Sequence, residues 1–76
     1  MKTTCIEKIL VCRFVDESGK SVEYYRALVC TFEENGGVSY SLDKCCKEIR
    51  GLDDLGFGCP CVCLYDRYGR ICSVTS

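Results

Sequence analysis

The most conspicuous motif of reactive residues in this 76-residue sequence is a run of three cysteines at alternate positions, Cys59, Cys61 and Cys63. Residues two apart in an extended strand point to the same side, so the three thiols are expected to share one face. A structural zinc ion needs four ligands. A fourth thiol would have to come from elsewhere in the chain, and Cys46 is the candidate we retain for it.

The spacing of these cysteines is poor support for a metal centre. Structural zinc sites use C-x₂₋₄-C pairs, whereas the motif here is C-x-C-x-C. Sulfur atoms on one face of a regular strand lie roughly 6–7 Å apart, so a bend at Gly58 or Pro60 would be needed. A redox role is not favoured either, because Asp53 and Asp54, rather than cations, lie nearby. We predict no metal and no cofactor, and keep a metal-binding or redox-responsive cysteine module as the alternative function.

Catalysis is not expected, because the sequence contains no histidine. This removes the commonest general base and the commonest metal ligand together. No glycine-rich phosphate loop and no paired-carboxylate motif replace it. We predict that the chain is not an enzyme.

Charge and hydropathy restrict the class of partner. The net charge of −1 and the pI near 5.3 argue against a broad nucleic-acid-binding surface. No segment approaches the ~20 apolar residues that span a bilayer, and charges interrupt the N-terminal apolar run. We therefore expect a cytoplasmic protein with reduced thiols, no membrane contact, and a partner other than nucleic acid.

The strongest helical pattern lies in Ser41–Leu52. Four apolar residues there follow the i, i+3, i+4, i+7 spacing of one helix face: Leu42, Cys45, Cys46 and Ile49. Ser41 is a good N-cap and Gly51 can close a helix. Lys44, Lys47 and Arg50 would give this helix a modestly basic outer face.

Two hairpins flank this predicted helix. Segments 6–15 and 22–32 are rich in β-branched and aromatic residues, and 59–64 and 71–75 form a second pair. Asp16–Gly19 and Asp66–Gly69 both have the D-x-x-G pattern of a tight turn. The predicted fold is a single α+β domain over residues 1–76, with a small antiparallel sheet of two hairpins and one helix packed on one face (ββαββ).

Pairing Asp16 with Lys20 sets the register of the first hairpin and divides it into two faces. We assign the face with Leu10, Phe14 and Tyr24 to the core beneath the helix. The opposite face is unusually apolar for a solvated surface. It forms the predicted partner-binding surface, for a protein partner or a second copy of the chain, and comprises Ile9, Val11, Arg13, Tyr25 and Val29.

The turn of the second hairpin adds Arg67, Tyr68 and Arg70 to the predicted binding residues, because Tyr and Arg are enriched in interface hot spots. The leading hypothesis is a small intracellular protein that binds a macromolecule, as an inhibitor or adaptor. Small inhibitors encoded by phages and mobile elements, anti-CRISPR proteins among them, fall in this size class. Weak nucleic-acid binding through the same three residues, with a clear salt dependence, is a third hypothesis.

Overall fold

The structure is a computed structural model that describes residues 3–76, and strands account for most of it. One short helix occurs in this range, between the third and fourth strands. The elements in chain order are β1 (Thr3–Val15), β2 (Ser21–Phe32), β3 (Val38–Arg50), α1 (Leu52–Leu55), β4 (Pro60–Tyr65) and β5 (Ile71–Thr75).

The five strands close into a barrel in the order β1-β2-β3-β5-β4. Neighbours pair antiparallel except β3 and β5, which run parallel. The seam between β1 and β4 is short, and the Thr4 hydroxyl donates a hydrogen bond of 2.7 Å to the Cys61 carbonyl oxygen there. Pro60, which has no N–H, lies at the start of β4, as expected for a proline in a sheet.

The predicted ββαββ fold is wrong, because most of the segment expected to be helical forms β3. Cys45 and Ile49 are the buried members of the predicted helix face. Their spacing of four residues is compatible with both a helical period of 3.6 and a strand period of 2, so it did not discriminate. Pairing with β2 on one side and β5 on the other outweighs local helix signals, which are weak priors.

Gly51 does adopt the left-handed conformation, at φ 86°, but it precedes α1 instead of ending a long helix. A Cβ atom at this position would clash with the carbonyl oxygen of Val74 in β5. Gly51 thus permits the close approach of chain and sheet where α1 meets the barrel. Leu52 and Leu55 of α1 then pack against the core.

The register predicted for the first hairpin is confirmed from its turn to its middle. Phe14 pairs with Val22, and Arg13 pairs with Glu23. Towards the open end the prediction fails by one residue, because Ile6 pairs with Val29 and not with Cys30. A β-bulge after Ile6 inserts one residue into β1 and shifts the register.

The assignment of the two hairpin faces is also wrong. Ala27 and Val29, placed by the sequence on the reverse face, are buried in the barrel. Phe14 and Tyr24, expected beneath a helix, lie on the outer side and are exposed. With no helix covering the sheet, barrel closure determines which face is internal. The core cluster comprises Ile6, Ala27, Val29, Cys45, Ile49, Leu52, Cys61, Ile71 and Val74.

A candidate basic and aromatic binding face

Cationic and aromatic side chains gather on the outer side of β2 and β3, beside the β4–β5 turn. Arg26 of β2 pairs with Lys44 of β3, and the adjoining Ala27 and Cys45 point into the barrel. Because side chains alternate along a strand, Arg26 and Lys44 point outward together. We use the term basic face for Tyr24, Arg26, Lys44, Arg67, Tyr68 and Arg70.

A cleft of about 360 Å³ lies along this face. Its charged lining, within the described residues, consists of four cations and one carboxylate. The cations are Arg26, Lys44, Lys47 and Arg70, and the acid is Glu23. Arg70 is paired with Asp66 at 2.8 Å, so the local positive charge of the cleft rests mainly on Arg26, Lys44 and Lys47. This charge favours an anionic ligand.

The single acid of the cleft is already engaged. Glu23 Oε1 lies 2.9 Å from Arg13 Nη2, and Glu23 Oε2 accepts a hydrogen bond of 3.2 Å from the Tyr25 hydroxyl. The hydrogen bonds from Tyr25 and Arg13 hold the pKa of Glu23 below its usual value, so it is ionised at neutral pH. Because Arg13 largely compensates the charge of Glu23, this carboxylate repels an incoming anion less than a free carboxylate would.

One aspartate, Asp66, accepts the hydrogen bonds that hold the β4–β5 turn and its cations in place. Asp66 Oδ1 accepts hydrogen bonds from the backbone N–H groups of Tyr68 and Arg70, at 2.9 and 3.0 Å. Asp66 Oδ2 accepts a hydrogen bond of 2.8 Å from Arg70 Nε. These bonds, led by the backbone N–H of Arg70, lower the pKa of Asp66 to about 2. The turn is thereby held in one shape with Tyr68 at its tip.

Guanidinium groups lie beside both exposed tyrosine rings of the face. The Cζ atoms of Arg67 and Arg70 lie 5.0 and 5.3 Å from the Tyr68 ring centroid, and Arg26 Cζ lies 5.6 Å from that of Tyr24. Cation–π contacts of this length order the side chains without burying them. Tyr68 keeps 64% of its surface exposed, so its ring is available for stacking.

The structure keeps three of the predicted apolar binding residues together and removes the other two. Ile9, Val11 and Tyr25 line one groove beside α1. Val29 is 5% exposed and belongs to the core, and Arg13 is exposed in its pair with Glu23. The shared surface expected for five side chains is therefore reduced to one wall of this groove.

The predicted turn residues do share a surface, and it extends further than the sequence indicated. Arg70 lines the same cleft as Arg26 and Tyr24, which sequence reasoning had not selected. Tyr24 had been placed in the core, and Arg26 had been overlooked within an apolar segment. The register itself was the available signal, because a cation in the middle of a strand indicates an outward position.

The structure distributes the C-x-C-x-C motif differently from a metal centre. Cys61 is buried in the core and Cys63 packs against it, whereas Cys46 lies 3.7 Å from Asp66 on the outer side of β3. Burial, followed by the neighbouring Cys61, raises the pKa of Cys63 to about 12, so this thiol is protonated and unreactive at neutral pH. These thiols serve as small apolar side chains.

A scan against protein-family models finds no match for this chain. Searches of curated proteins and of solved structures also find no significant match. No helix within residues 3–76 has both the length and the apolar character to cross a bilayer. Function is therefore inferred from the barrel and the side chains on its surface.

Proposed function

We propose that the protein binds single-stranded nucleic acid along the basic face. The observation that carries the proposal is a cleft lined by four cations, with the exposed Tyr24 ring in the cleft and the exposed Tyr68 ring on the turn beside it. A single strand offers repeating phosphates and bases whose faces are free to stack. Proteins that bind it without sequence preference combine a positive groove with aromatic stacking platforms.

Each element of the face has a role in this proposal. Arg26 and Lys44 lie opposite one another across β2 and β3, where their cationic groups can pair with successive phosphates. Tyr68, on the neighbouring turn, offers a base-sized ring outside the charged cleft. Flat bases stack on such rings, and each stacked base contributes about 1–3 kcal/mol.

The fold agrees with this proposal by analogy. Five-stranded Greek-key barrels of the OB type bind oligonucleotides or oligosaccharides on the face of their second and third strands and on the β1–β2 and β4–β5 loops. The basic face occupies the corresponding position in this barrel. A fold hosts many functions, so the side chains of the basic face, more than the barrel itself, support nucleic-acid binding.

The low net charge of the chain argues against nucleic-acid binding, but the charges are unevenly distributed over the surface. Several acids lie away from the cleft. Asp53 and Asp54 line the groove beside α1 together with Arg50, and this groove adjoins the cleft at Tyr25 and Lys47. A chain of net charge −1 can therefore present a locally positive surface.

Binding can be measured by fluorescence anisotropy with a labelled oligo(dT) of about 12 nucleotides, a length within the usual footprint of such barrels. We expect saturable binding at low salt. Three phosphate contacts predict a slope of about −2 for log affinity against log salt concentration. Unlabelled duplex DNA of the same length should compete poorly, because its bases are not free to stack.

Variants localise the interaction. The double substitution Arg26→Ala and Lys44→Ala should weaken binding at least tenfold, and Tyr68→Ala should weaken it by a similar factor through lost stacking, as a phosphate contact or stacked base of about 1.4 kcal/mol implies. Arg50→Ala is the matched control, because Arg50 is an exposed cation of the other groove. Its affinity should stay within twofold of the unmodified protein.

Absent or salt-independent binding, or equal losses in Arg50→Ala and the double variant, would reject the proposal. A protein ligand remains the competing class, since Phe14, Tyr24 and Leu42 are exposed on the outer side of the barrel. A purified protein that binds after nuclease treatment, and whose affinity is unaffected by salt, would replace nucleic acid as the partner.

A further inference from the structure

Cys5 and Cys30 form a pair of thiols outside the barrel core. They lie directly opposite each other on β1 and β2. Their chain neighbours Ile6 and Val29 point into the core, so the two thiols point to the other side of the sheet. Both cysteines are nevertheless almost completely buried, at 3% and 1% exposure.

The bulge in β1 adds a carboxylate to this pair. Ile6 pairs with Val29 and Lys8 with Leu28, which leaves Glu7 without a partner across the ladder. Its side chain turns towards Cys5, whose thiol donates a hydrogen bond of 3.3 Å to Glu7 Oε1.

The three ligand atoms converge. The sulfur atoms of Cys5 and Cys30 and a carboxylate oxygen of Glu7 all lie within 4.8 Å of one another, and no other group of three or more potential ligands in residues 3–76 does so. Ligands at the usual zinc bond lengths of about 2.0–2.3 Å lie about 3.3–3.8 Å apart in a tetrahedron. A contraction of at most about 1.0–1.5 Å would therefore complete the first three bonds.

We propose that Cys5, Cys30 and Glu7 bind a thiophilic divalent cation, for which Zn²⁺ is the natural candidate. Two thiolates and one carboxylate are ligands that zinc accepts, and a fourth position remains for water or a hydroxyl group. Tyr40, which pairs with Cys30 from β3, is one hydroxyl candidate.

The protons released on metal binding come from the two thiols, Cys5 and Cys30. The Cys5 thiol donates its proton in the hydrogen bond to Glu7 Oε1, so Cys5 is protonated without metal. Binding of Zn²⁺ replaces the protons of both thiols, which leave to solvent, and no electrons are transferred. The carboxylate changes from hydrogen-bond acceptor to ligand. Two thiolates, one carboxylate and Zn²⁺ leave the site with a net charge of −1.

The test is a titration of the reduced, metal-free protein with Zn²⁺ against a chromogenic chelator, in the presence of a phosphine reductant. Co²⁺ serves as a second probe, because its visible spectrum reports tetrahedral coordination and its charge-transfer band reports thiolate bonds. We expect one equivalent of tightly held metal and a tetrahedral, thiolate-containing Co²⁺ spectrum.

Nine cysteines require matched controls, and the chain supplies them. Cys30→Ser should abolish tight binding. Glu7→Gln should weaken it about tenfold or more, in the range seen when a metal site loses one supporting group. Glu7 is exposed, so this variant tests the site with little risk to folding. Cys12→Ser, on the outer side of the same hairpin, should bind one equivalent with unchanged affinity.

Equal losses in Cys12→Ser and Cys30→Ser would mean adventitious thiol binding and would overturn the proposal. Unchanged affinity in Glu7→Gln with retained folding would also overturn it, since the carboxylate would not be a ligand. Formation of a Cys5–Cys30 disulfide on treatment with peroxide, in a protein that takes up no metal when reduced, would assign the pair to redox chemistry instead.

Discussion

The two faces of the β1–β2 ribbon both carry apolar side chains, but they differ in burial. The inner face presents Ala27 and Val29 to the core, while the outer face leaves Phe14 and Tyr24 exposed. The inner residues are compact, and they fit the narrow interior of a five-stranded barrel. The outer rings of Phe14 and Tyr24 lie 5.8 Å apart between centroids and remain available to a ligand. Apolar character alone did not distinguish core from surface; barrel closure did.

The inner face also changes along its length. It is buried at Val29 and ends at the charged pair of Arg13 and Glu23, which is exposed. The molecule measures 47 × 25 × 21 Å along its principal axes, so the long hairpin continues past the barrel. Charged residues appear on the inner face where the barrel ceases to cover it.

The largest expected effect contrasts adjacent residues on opposite faces. Val29→Asp would place a carboxylate in the core, and we expect it to lose at least about 3 kcal/mol of unfolding free energy, enough to unfold a domain of this size. Leu28→Asp, one residue earlier and on the outer face, should lose about 1 kcal/mol or less. Urea denaturation followed by circular dichroism measures both.

A folded Val29→Asp protein with near-normal stability would mean that the inner face is accessible. The comparison of faces would then be reversed, and the apolar binding surface predicted from the sequence would be restored. Equal destabilisation by both substitutions would instead place both faces in a packed interior.

A smaller effect is expected at the exposed end of the inner face. Arg13 and Glu23 form an ion pair with a 2.9 Å contact, but both side chains are substantially exposed. Such pairs contribute about 0.2–1 kcal/mol, because water and salt screen them. A double-mutant cycle with Arg13→Ala and Glu23→Ala should give a coupling energy in this range that falls in 1 M salt. A coupling above about 2 kcal/mol would show that this end of the hairpin is buried in solution.

The smallest effect should be a local one at the β4–β5 turn. Hydrogen bonds hold the pKa of Asp66 at about 2, below its ordinary value of 3.8. The stabilisation that they provide is therefore present above about pH 4 and is lost as the pH falls towards 2. Amide NMR signals of Tyr68 and Arg70 should shift over that interval, while those of Ala27 and Val29 should not. A midpoint near 3.8 would show that the turn bonds do not persist in solution.

The cysteines also show that proximity in sequence does not predict which residues meet in the folded structure. Cys61 and Cys63 are adjacent in a conspicuous motif, yet they serve the core of the barrel. Cys5 and Cys30 are 25 positions apart in sequence and meet across two strands. Glu7 follows Cys5 by two positions and so shares its side of the strand, but no spacing rule joins either residue to Cys30, which only the pairing of β1 with β2 brings opposite Cys5.

Local chemistry in the sequence was sufficient to predict both tight turns and most of the first hairpin. Asp16 and Gly19 define their turn through short-range hydrogen bonds, and the register follows from that turn by counting. The exposed cations and ring of the β4–β5 turn were predicted for the same reason. In each case the determining interactions lie within a few residues of one another.

Tertiary structure decided the rest. Whether 41–50 is helix or strand depended on pairing with β2 and β5, since the spacing of Cys45 and Ile49 fits either state. Which hairpin face became the core depended on closure of the barrel. The grouping of Arg26 with Arg70 depended on strand order. Local sequence patterns determine turns and alternation, whereas contacts between distant strands determine which side is inside and which residues meet.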